Sequence, residues 1–429
     1  MEKYIIMGGN PLAGSVRISG AKNAVLPILA ASLLSPKTSV IYDVPRLRDV
    51  HVMKEVLEFL GCTVDWSGST MKIDSSKVNS IEISDFLMRK MRASNLVMGP
   101  LLAKFGFAKL SFPGGCAIGS RPMDLHLKGL QAMGAKIEEK FGFIEAIAEG
   151  GVLRGTEICL DFPSVGATEN IMMAATMAKG KTVISNAAKE PEIVDLERFL
   201  NNMGAQISGA GTDVITIQGV EQLVPAEHTV IPDRIEAGTF MVAAAITKST
   251  IKIENVHTRH VEAIVSKLKE MGVHIFDEDG ALKVVGSDNI KPADIKTMPY
   301  PGFPTDMQPQ IMALLASVKG TSVISENIFE NRYKHVDELR RMGADIKVEG
   351  RIAIIKGKDK NALSGTFVNA TDLRAGAALV LAGLIAEDAT IIDSIYHIDR
   401  GYENFEQKLR GLGAKIIRVT ETTQRGLEK

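Results

Sequence analysis

The sequence LQAMGA, at residues 130–135, is one of six copies of a short signature with the pattern Leu-x-x-Met/Leu-Gly followed by a small residue. A glycine in this position is typical of the end of an amphipathic helix, where the backbone needs a positive φ. A β-rich segment follows each copy. The signature glycines recur every 68 to 73 residues, at Gly61, Gly134, Gly204, Gly272, Gly343 and Gly413. The chain is therefore predicted to consist of six related units.

A second predicted helix recurs with the same period and is rich in small and apolar residues. Examples are KNAVLPILAASLL, from residue 22, and TDLRAGAALVLAGLIAE, from residue 371. Because these helices are apolar nearly all round, we expect them to be buried. Each leads into a short strand, so that one unit reads as buried helix, strand, exposed helix and further strands. Repeats of this length with mixed content predict compact pseudo-symmetric α/β domains rather than an open solenoid.

The two ends of the chain predict how the units are grouped. The sixth unit stops soon after Gly413 and lacks a strand that the other units carry, whereas residues 4–19 read as strand, turn and strand. We expect this N-terminal segment to complete the sixth unit. One domain then comprises 22–230, with units one to three, and the other comprises 1–21 plus 231–429. The chain would cross between them twice, and two adjacent crossings form a candidate hinge.

Composition excludes several classes of partner. The 429 residues carry a formal net charge of −1, so no overall positive field attracts nucleic acid or a membrane surface. The N-terminal residues do not follow the signal-peptide pattern, and the apolar stretches are too short to span a bilayer. Three cysteines, an odd number, argue against a disulfide framework. We expect a cytoplasmic protein.

The loop PGGCAIGSRP, at 113–122, follows a short apolar strand and places Cys116 among three glycines. Arg121 lies five residues after it, and a nearby cation favours the nucleophilic thiolate over the thiol. The alternative is a small buried cysteine under a glycine turn. Cys62 follows a signature glycine and Cys159 lies in an apolar strand, so both are predicted to be core residues.

Cations and polar helix starts recur with the unit. A cation precedes each exposed helix: Arg48, Arg121, Lys189, Arg259, Arg332 and Arg400. Polar groups also stand at the starts of the buried helices: Lys22-Asn23, Arg92, Ser164, Glu236, Thr305-Asp306, and Asp372 with Arg374. Helix N-termini present free N–H groups, so convergence of these starts would create a phosphate or carboxylate site. The alternatives are solvated surface cations and, for Asp306, a helix N-cap.

Metal and nucleotide motifs are not found in the sequence. There is no Walker A loop, HExxH helix or CxxC pair. His257 and His260 are three residues apart, but no further ligand accompanies them. We therefore predict no metal site and no cofactor.

Seven motifs together resemble one family. They are SGAKN (19–23), PGGCAIGSRP (113–122), SVGAT (164–168), FPTDMQPQ (303–310), ENRYKH (330–335), TDLRAG (371–376) and DRGYEN (399–404). They closely resemble the UDP-N-acetylglucosamine enolpyruvyl transferases, and the resemblance runs from end to end. It implies two inside-out α/β barrels of three repeats each. It also implies transfer of enolpyruvate from phosphoenolpyruvate to the sugar 3′-hydroxyl by addition and elimination, with release of phosphate. That reaction is the first committed step of peptidoglycan synthesis, and hence serves cell-wall biogenesis, cell shape and division.

The resemblance also implies residue roles. The catalytic set would be Cys116, as proton donor and target of fosfomycin, Asp306, as acceptor of the hydroxyl proton, and Lys22 and Arg400. Phosphoenolpyruvate would be bound by Lys22, Asn23, Cys116, Arg121, Arg374 and Arg400. UDP-N-acetylglucosamine would be bound by Asn23, Arg92, Arg121, Pro122, Met123, Asp124, Leu125, Ser164, Val165, Gly166, Asp306, Ile328 and Arg332. One departure concerns Asp161-Phe162-Pro163, which stands where some relatives have a basic residue.

Three alternatives stay open at this point. The 5-enolpyruvylshikimate-3-phosphate (EPSP) synthases share related chemistry and fold, but lack the cysteine loop. RNA 3′-phosphate cyclases are built on similar repeats, but use a nucleotide and a catalytic histidine. A non-catalytic repeat scaffold would release no phosphate from phosphoenolpyruvate and UDP-N-acetylglucosamine. The expected partners are the two small-molecule substrates, and the residues alone do not determine an oligomeric state.

Overall fold

The computed structural model describes residues 2–83, 85–111, 123–358 and 363–420, with Arg92 described by its backbone only. Within these ranges the chain divides into two compact units. Unit 1 comprises residues 2–19 and 232–420, and unit 2 comprises residues 20–231. Each unit has its own hydrophobic core. No helix in the described part of the chain is long and apolar enough to cross a membrane.

The strands of the described residues are short. In chain order they are β1 (Glu2–Met7), β2 (Ala13–Arg17), β3 (Thr38–Tyr42), β4 (Thr63–Ser67), β5 (Thr70–Asp74), β6 (Glu82–Ile83), β7 (Phe107–Ser111), β8 (Ala135–Lys140), β9 (Phe143–Ala148), β10 (Glu157–Cys159), β11 (Lys181–Ser185), β12 (Gln206–Ser208), β13 (Val214–Gln218), β14 (Glu227–Thr229), β15 (Thr250–Glu254), β16 (His274–Glu278), β17 (Ala281–Val285), β18 (Ile295–Lys296), β19 (Gly320–Ser325), β20 (Asp345–Glu349), β21 (Ile352–Gly357), β22 (Phe367–Asn369), β23 (Ala389–Asp393) and β24 (Lys415–Thr420).

The helices alternate with these strands. The α-helices are α1 (Lys22–Ala31), α2 (Arg48–Phe59), α3 (Asp85–Lys90), α4 (Met98–Phe105), α5 (Asp124–Ala132), α6 (Val165–Ala175), α7 (Pro191–Asn202), α8 (Arg234–Ile246), α9 (Glu262–Glu270), α10 (Gln308–Ala316), α11 (Val336–Arg341), α12 (Leu373–Gly383) and α13 (Phe405–Gly411). Short 3₁₀ turns occur at Ser32–Leu34, Arg92–Val97, Glu149–Gly151, Thr258–Val261, Thr305–Met307 and Ile395–Arg400.

The described strands form six four-stranded sheets of one topology, three in each unit. In the sheet of order β10-β11-β13-β12, β10 and β11 are parallel and are connected through the buried helix α6. The strands β11, β13 and β12 are antiparallel neighbours. A parallel pair needs a long crossover, and the apolar helix provides it. The repeated unit of the sequence is therefore a repeated structural unit.

The N-terminal segment serves two sheets rather than one. Strand β1 lies between β23 and β24 and completes the sixth sheet, as predicted. Strand β2, however, pairs in parallel with β15 in the fourth sheet, and this part of the prediction is wrong. The reason is the double crossing. Because the chain enters α8 from β14, which pairs with β3 in unit 2, the edge beside β15 is filled by β2.

The predicted buried helices form the core of each unit. Helices α8, α10 and α12 contact one another in unit 1, and α1, α4 and α6 are neighbours in unit 2. Their residues are buried almost throughout. Two of them begin later than the apolar pattern predicts, since residues 92–97 and 305–307 form 3₁₀ turns first. The six signature glycines have φ between 88° and 104°, which confirms the predicted helix ends.

The two described cysteines differ. Cys62 is buried, as predicted, and burial raises the pKa of its thiol to about 11. Cys159 is exposed, so the prediction of a core position is wrong. Along β10 the side chains alternate between the two faces, and only the middle residue, Ile158, faces the core.

Candidate active site

The carboxylate of Asp306 lies between two buried guanidinium groups in unit 1. Arg332 donates from Nη2 to Oδ1 over 2.9 Å. Arg374 donates to Oδ2 from Nε over 3.2 Å and from Nη2 over 3.0 Å. The structure thus brings together three residues that the sequence assigned to the substrates.

Burial distinguishes the acid from its partners. The side chains of Arg332 and Arg374 are 2% and 3% exposed, whereas that of Asp306 is 25% exposed. Burial opposes the charge of Arg374, but Asp306, Tyr402 and Asp233 together more than offset this, and the pKa of Arg374 is raised. The Asp306 carboxylate thus contacts two permanent cations, and its partial exposure leaves it accessible to a ligand.

Asp306 is not a helix N-cap, so that alternative is wrong. Pro304 holds the cap position of the 305–307 turn, and Met307 that of α10. In contrast, Asp372 does cap α12, and its carboxylate accepts from the N–H groups of Arg374 and Ala375. The same interaction therefore also fixes the backbone from which the Arg374 side chain reaches Asp306.

Polar groups behind this cluster were missed by sequence reasoning. His335 is fully buried, and burial, reinforced by Arg332 against the opposing charge of Asp372, lowers its pKa to about 4. The ring of Tyr402 lies 5.4 Å from the guanidinium carbon of Arg374. Both residues stand inside motifs that the sequence singled out, ENRYKH and DRGYEN, but neither spacing nor composition indicated which member would be buried beside an arginine.

Two further predicted residues lie at turns of unit 1. Ile328 is half-buried, and its N–H donates to Glu326 over 2.9 Å. Arg400 is half-buried at the end of the 395–400 turn, before α13. The part assigned to Arg400 in binding phosphoenolpyruvate stays a prediction.

In unit 2, Lys22 opens the buried helix α1 and pairs with Asp49. The Nζ atom lies 2.8 Å from Oδ2, and the two side chains are 14% and 3% exposed. Asp49 stands in the first turn of α2, where a carboxylate also interacts favourably with the helix dipole. Asn23 follows Lys22 and is half-buried. Asp49 was not predicted, although it directly follows the recurrent cation Arg48.

The start of α6 holds the predicted residues Ser164, Val165 and Gly166. The Ser164 hydroxyl caps the helix by accepting from the Ala167 N–H over 3.3 Å. Gly166 faces the ring of His126, and a Cβ at this position would lie 3.2 Å from the ring atom Cε1. The glycine is therefore required by the close approach of the imidazole.

Asn170 fixes the orientation of that imidazole. Its Oδ1 accepts from the Gly99 N–H over 2.6 Å, and its Nδ2 donates to the Asn95 carbonyl over 2.9 Å. The same amide nitrogen lies 3.1 Å from Nδ1 of His126. Because that amide nitrogen is a donor, Nδ1 is the acceptor and the ring proton is on Nε2, toward Gly166. Neither residue was predicted.

The predicted segment before His126 forms the start of α5. Met123 is buried at the N-cap position, Asp124 is the exposed first residue of the helix, and Leu125 is half-buried. Helix α5 packs on α6, so this segment and the start of α6 belong to one surface of unit 2. Asp161 forms an ion pair with Lys128, with 2.7 Å between Oδ2 and Nζ, and both side chains are exposed.

Several predictions fall outside the described residues. Cys116, Arg121 and Pro122 lie in the undescribed loop, and the side chain of Arg92 is not described. The roles given to these four residues stay predictions.

Known proteins similar to this chain are enzymes that transfer a carboxyvinyl group. The family model described as EPSP synthase (3-phosphoshikimate 1-carboxyvinyltransferase) matches residues 6–409. A protein of Caldanaerobacter subterraneus subsp. tengcongensis named UDP-N-acetylglucosamine 1-carboxyvinyltransferase 1 is 60% identical over 418 residues, covering 97% of this chain and 99% of its own. A protein of Halalkalibacterium halodurans with the same name is 58% identical over 423 residues, covering 98% and 96%.

Solved structures agree on the fold. The enolpyruvyl transferase NikO from Streptomyces tendae superposes with a TM-score of 0.87 at 24% identity, covering 98% of this chain and 99% of its own. EPSP synthase from Acinetobacter baumannii gives a TM-score of 0.76 at 20% identity, covering 98% and 100%. These likenesses show a mixed α/β fold shared with enolpyruvyl transferases. The chain therefore belongs to the EPSP synthase family, and within it to the UDP-N-acetylglucosamine 1-carboxyvinyltransferases.

Proposed function

We propose that this chain transfers the enolpyruvyl group of phosphoenolpyruvate to the 3′-hydroxyl of UDP-N-acetylglucosamine and releases phosphate. The observation that carries the proposal is the identity of 57–60%, over nearly the full length, to relatives named for this activity. EPSP synthase is the weaker alternative, because the solved EPSP synthases share only 20–21% identity. The product commits the sugar nucleotide to peptidoglycan synthesis.

The reaction needs a base for the sugar hydroxyl, and Asp306 supplies it. In the addition step the C3 carbon of phosphoenolpyruvate takes a proton, and the C2 carbon becomes electron-poor. The 3′-oxygen attacks C2 while its proton passes to the Asp306 carboxylate. In the elimination step a C3 proton and the phosphate group leave, and the enol double bond forms again. A positioned acid or base contributes about 10²–10⁴-fold to such a step.

The proton donor to C3 is Cys116, in the loop outside the described residues. A thiol near a cation exchanges its proton readily at neutral pH. The exposed Cys159 is a second thiol that an electrophile can reach. Labelling by the epoxide fosfomycin should therefore be lost in Cys116→Ala and retained in Cys159→Ala.

The charges of phosphoenolpyruvate are balanced by cationic side chains. Lys22, Arg121, Arg374 and Arg400 are the set, with Asn23 beside Lys22. Preorganised cations stabilise the phosphate charge as it develops on leaving. Arg374 is well suited to this role, because Asp372, Asp306 and Tyr402 hold its backbone and side chain before the substrate arrives.

The sugar nucleotide is bound by Asn23, Arg92, the segment 121–125 and the start of α6, and by Asp306, Ile328 and Arg332. The free N–H groups at the start of α6 favour an anion such as the diphosphate. Asp161 adds negative charge near this helix start, so we expect no diphosphate contact from 161–163.

The finer architecture is part of the proposal. We infer that each unit is an inside-out α/β barrel of three repeats, because three buried apolar helices and three sheets occur in each. The domains would be 1–21 plus 231–429, and 22–230. A cytoplasmic location fits the odd number of cysteines in the sequence, which argues against a disulfide framework.

Phosphate release tests the function. The protein is incubated with phosphoenolpyruvate and either UDP-N-acetylglucosamine or shikimate 3-phosphate, and inorganic phosphate is measured. We expect phosphate to be released from phosphoenolpyruvate when UDP-N-acetylglucosamine is present and not when shikimate 3-phosphate is present. Release only with shikimate 3-phosphate would favour the EPSP synthase alternative, and no release with either would favour a non-catalytic scaffold.

A further inference from the structure

Glu326 is a buried acid without a cationic partner. It follows β19, and its side chain is 0% exposed. Buried carboxylates are usually paired with a cation or coordinate a metal, because burial of an isolated charge costs several kcal/mol. Among the described residues Glu326 makes no ion pair. Its carboxyl group accepts hydrogen bonds instead, and the positions of the donors indicate the role of Glu326.

Four donors converge on this carboxylate. Oε1 accepts from the Thr297 hydroxyl over 3.0 Å, and from the N–H groups of Ile328 and Phe329 over 2.9 and 3.1 Å. Oε2 accepts from the Thr305 hydroxyl over 3.0 Å. A carboxylate has about four acceptor positions, so the hydrogen-bonding capacity of Glu326 is nearly filled by these four donors.

The donors belong to the segments that carry the site. Thr305 directly precedes Asp306. Ile328 is itself assigned to the sugar nucleotide, and Phe329 leads into the turn that carries Arg332. Both partners of the Asp306–Arg332 ion pair therefore stand on backbone that is tied to the same buried carboxylate.

Thr297 extends the connection to the segment that approaches Asp306. Its hydroxyl accepts from the Asn327 N–H over 2.9 Å, and its carbonyl accepts from the Asn327 side chain over 3.1 Å. It also forms an isolated bridge with Phe303, three residues before Asp306. The approach, the turn with Asp306 and the loop with Ile328 thus share one anchor.

We propose that Glu326 is a positioning residue that sets the orientation of Asp306 and Ile328 toward the sugar nucleotide. This inference rests on the proposed function. Catalytic groups must be held within about 0.5 Å of their working geometry, and a shift of about 1 Å can cost about 10²-fold in rate. Glu326 touches no reacting atom in this scheme; it acts through the backbone beside Asp306 and through Ile328.

Glu326→Gln tests the proposal in the full chain. The amide keeps one oxygen acceptor but turns a donor toward the remaining hydroxyl or N–H groups. We expect kcat to fall about 10- to 100-fold and the KM for UDP-N-acetylglucosamine to rise, with a smaller change in the KM for phosphoenolpyruvate. The melting temperature is measured in parallel.

A second pair of variants covers the case in which Glu326→Gln does not fold. Thr305→Val removes one hydroxyl donor with little change in shape, and Thr305→Ser retains it. We expect Thr305→Val to show part of the rise in the KM for UDP-N-acetylglucosamine, and Thr305→Ser to keep the wild-type KM. The matched control is Tyr4→Phe, which removes a hydroxyl donor from another buried acid, Glu406, at 2.8 Å. It should lower stability without a change in either KM.

The outcomes separate this inference from the proposed function. A wild-type protein that releases no phosphate overturns both. If the wild type is active, and Glu326→Gln and Thr305→Val lower the melting temperature like Tyr4→Phe but keep wild-type kcat and KM, Glu326 has a structural role only and the inference is overturned. A selective rise in the KM for the sugar nucleotide supports it.

Discussion

Asp306 in unit 1 and Lys22 in unit 2 are each ion-paired at the start of a buried helix, and the two residues carry opposite charges. In unit 1 the more exposed member is the acid, Asp306, at 25%, and its arginine partners are 2% and 3% exposed. In unit 2 the more exposed member is the base, Lys22, at 14%, and its partner Asp49 is 3% exposed. Both of the more exposed residues are assigned to substrates. The buried arginines of unit 1 are assigned to substrates as well, whereas Asp49 is not.

This difference explains how one repeat can supply opposite chemistry. A buried counter-ion is expensive to desolvate and is retained when it orients a charge that must be met by a ligand. Unit 1 holds a carboxylate ready to take a proton, and unit 2 holds an ammonium ready to bind an anion. The comparison predicts that loss of Asp306 or Lys22 removes activity, and that loss of Asp49, which has no assigned substrate, mainly lowers stability.

The largest effect is expected for Asp306→Asn. The amide keeps the shape but cannot accept the hydroxyl proton, so kcat should fall by about 10²–10⁴-fold. The measurement is phosphate release at saturating concentrations of both substrates. A loss below about 10-fold, with an intact melting curve, would show that Asp306 is a support like Asp49 and would break the comparison.

His335, beside Arg332, should make the unit 1 cluster sensitive to acid. Its folded pKa of about 4 lies below the ordinary 6.5, because burial excludes the charged form. Between these values the unfolded chain binds more protons, so stability falls as the pH is lowered from 6.5 to 4.

The expected loss over that interval is about 3 kcal/mol, at about 1.4 kcal/mol per pH unit. It is measured as the difference between wild type and His335→Leu in urea unfolding at pH 7 and pH 4. Asp372 and Arg332 face the ring and are kept in both proteins. A difference that does not change with pH would show that the imidazole is not buried as a neutral group.

Asp49→Asn should affect stability more than turnover. It leaves the Lys22 ammonium without its buried partner, and we expect a loss of about 1–3 kcal/mol in the free energy of unfolding. The single tryptophan of the chain, Trp66, lies on β4 of the same unit, so its fluorescence reports this transition. A fall in kcat as large as that of Asp306→Asn, at unchanged stability, would reverse the roles assigned to Lys22 and Asp49.

The smallest effect is expected for Asp161→Asn. Its partner Lys128 is 58% exposed, and Asp161 itself is 71% exposed. Exposed pairs contribute little, so the free energy of unfolding should change by less than about 0.5 kcal/mol. Since removal of this charge also makes the region before α6 less negative, the KM for UDP-N-acetylglucosamine should fall or stay constant. A rise would indicate that Asp161 contacts the sugar nucleotide after all.

Much of the site was predictable because its motifs are local. SVGAT places a hydroxyl and a glycine at a helix start, and the structure uses both there, as cap and as close approach to His126. TDLRAG places Asp372 where it caps α12. The partners of these residues were not predictable. His126 and Asn170 acquire their roles through contacts between elements far apart in the chain. Glu326 and His335 combine near neighbours in sequence with distant residues such as Thr297 and Asp372.

What the amino-acid sequence determined by itself is the repeated unit. The signature glycines end their helices by a local backbone requirement, and the apolar helices are buried because they have no polar face. What only the tertiary structure decided is which residues form ion pairs and which strands are neighbours in a sheet. Asp306 pairs with arginines 26 and 68 residues away, and β2 pairs with β15 in the fourth sheet rather than in the sixth. Helix ends and burial depend on neighbours in sequence, whereas ion pairs and sheet edges depend on the path of the whole chain.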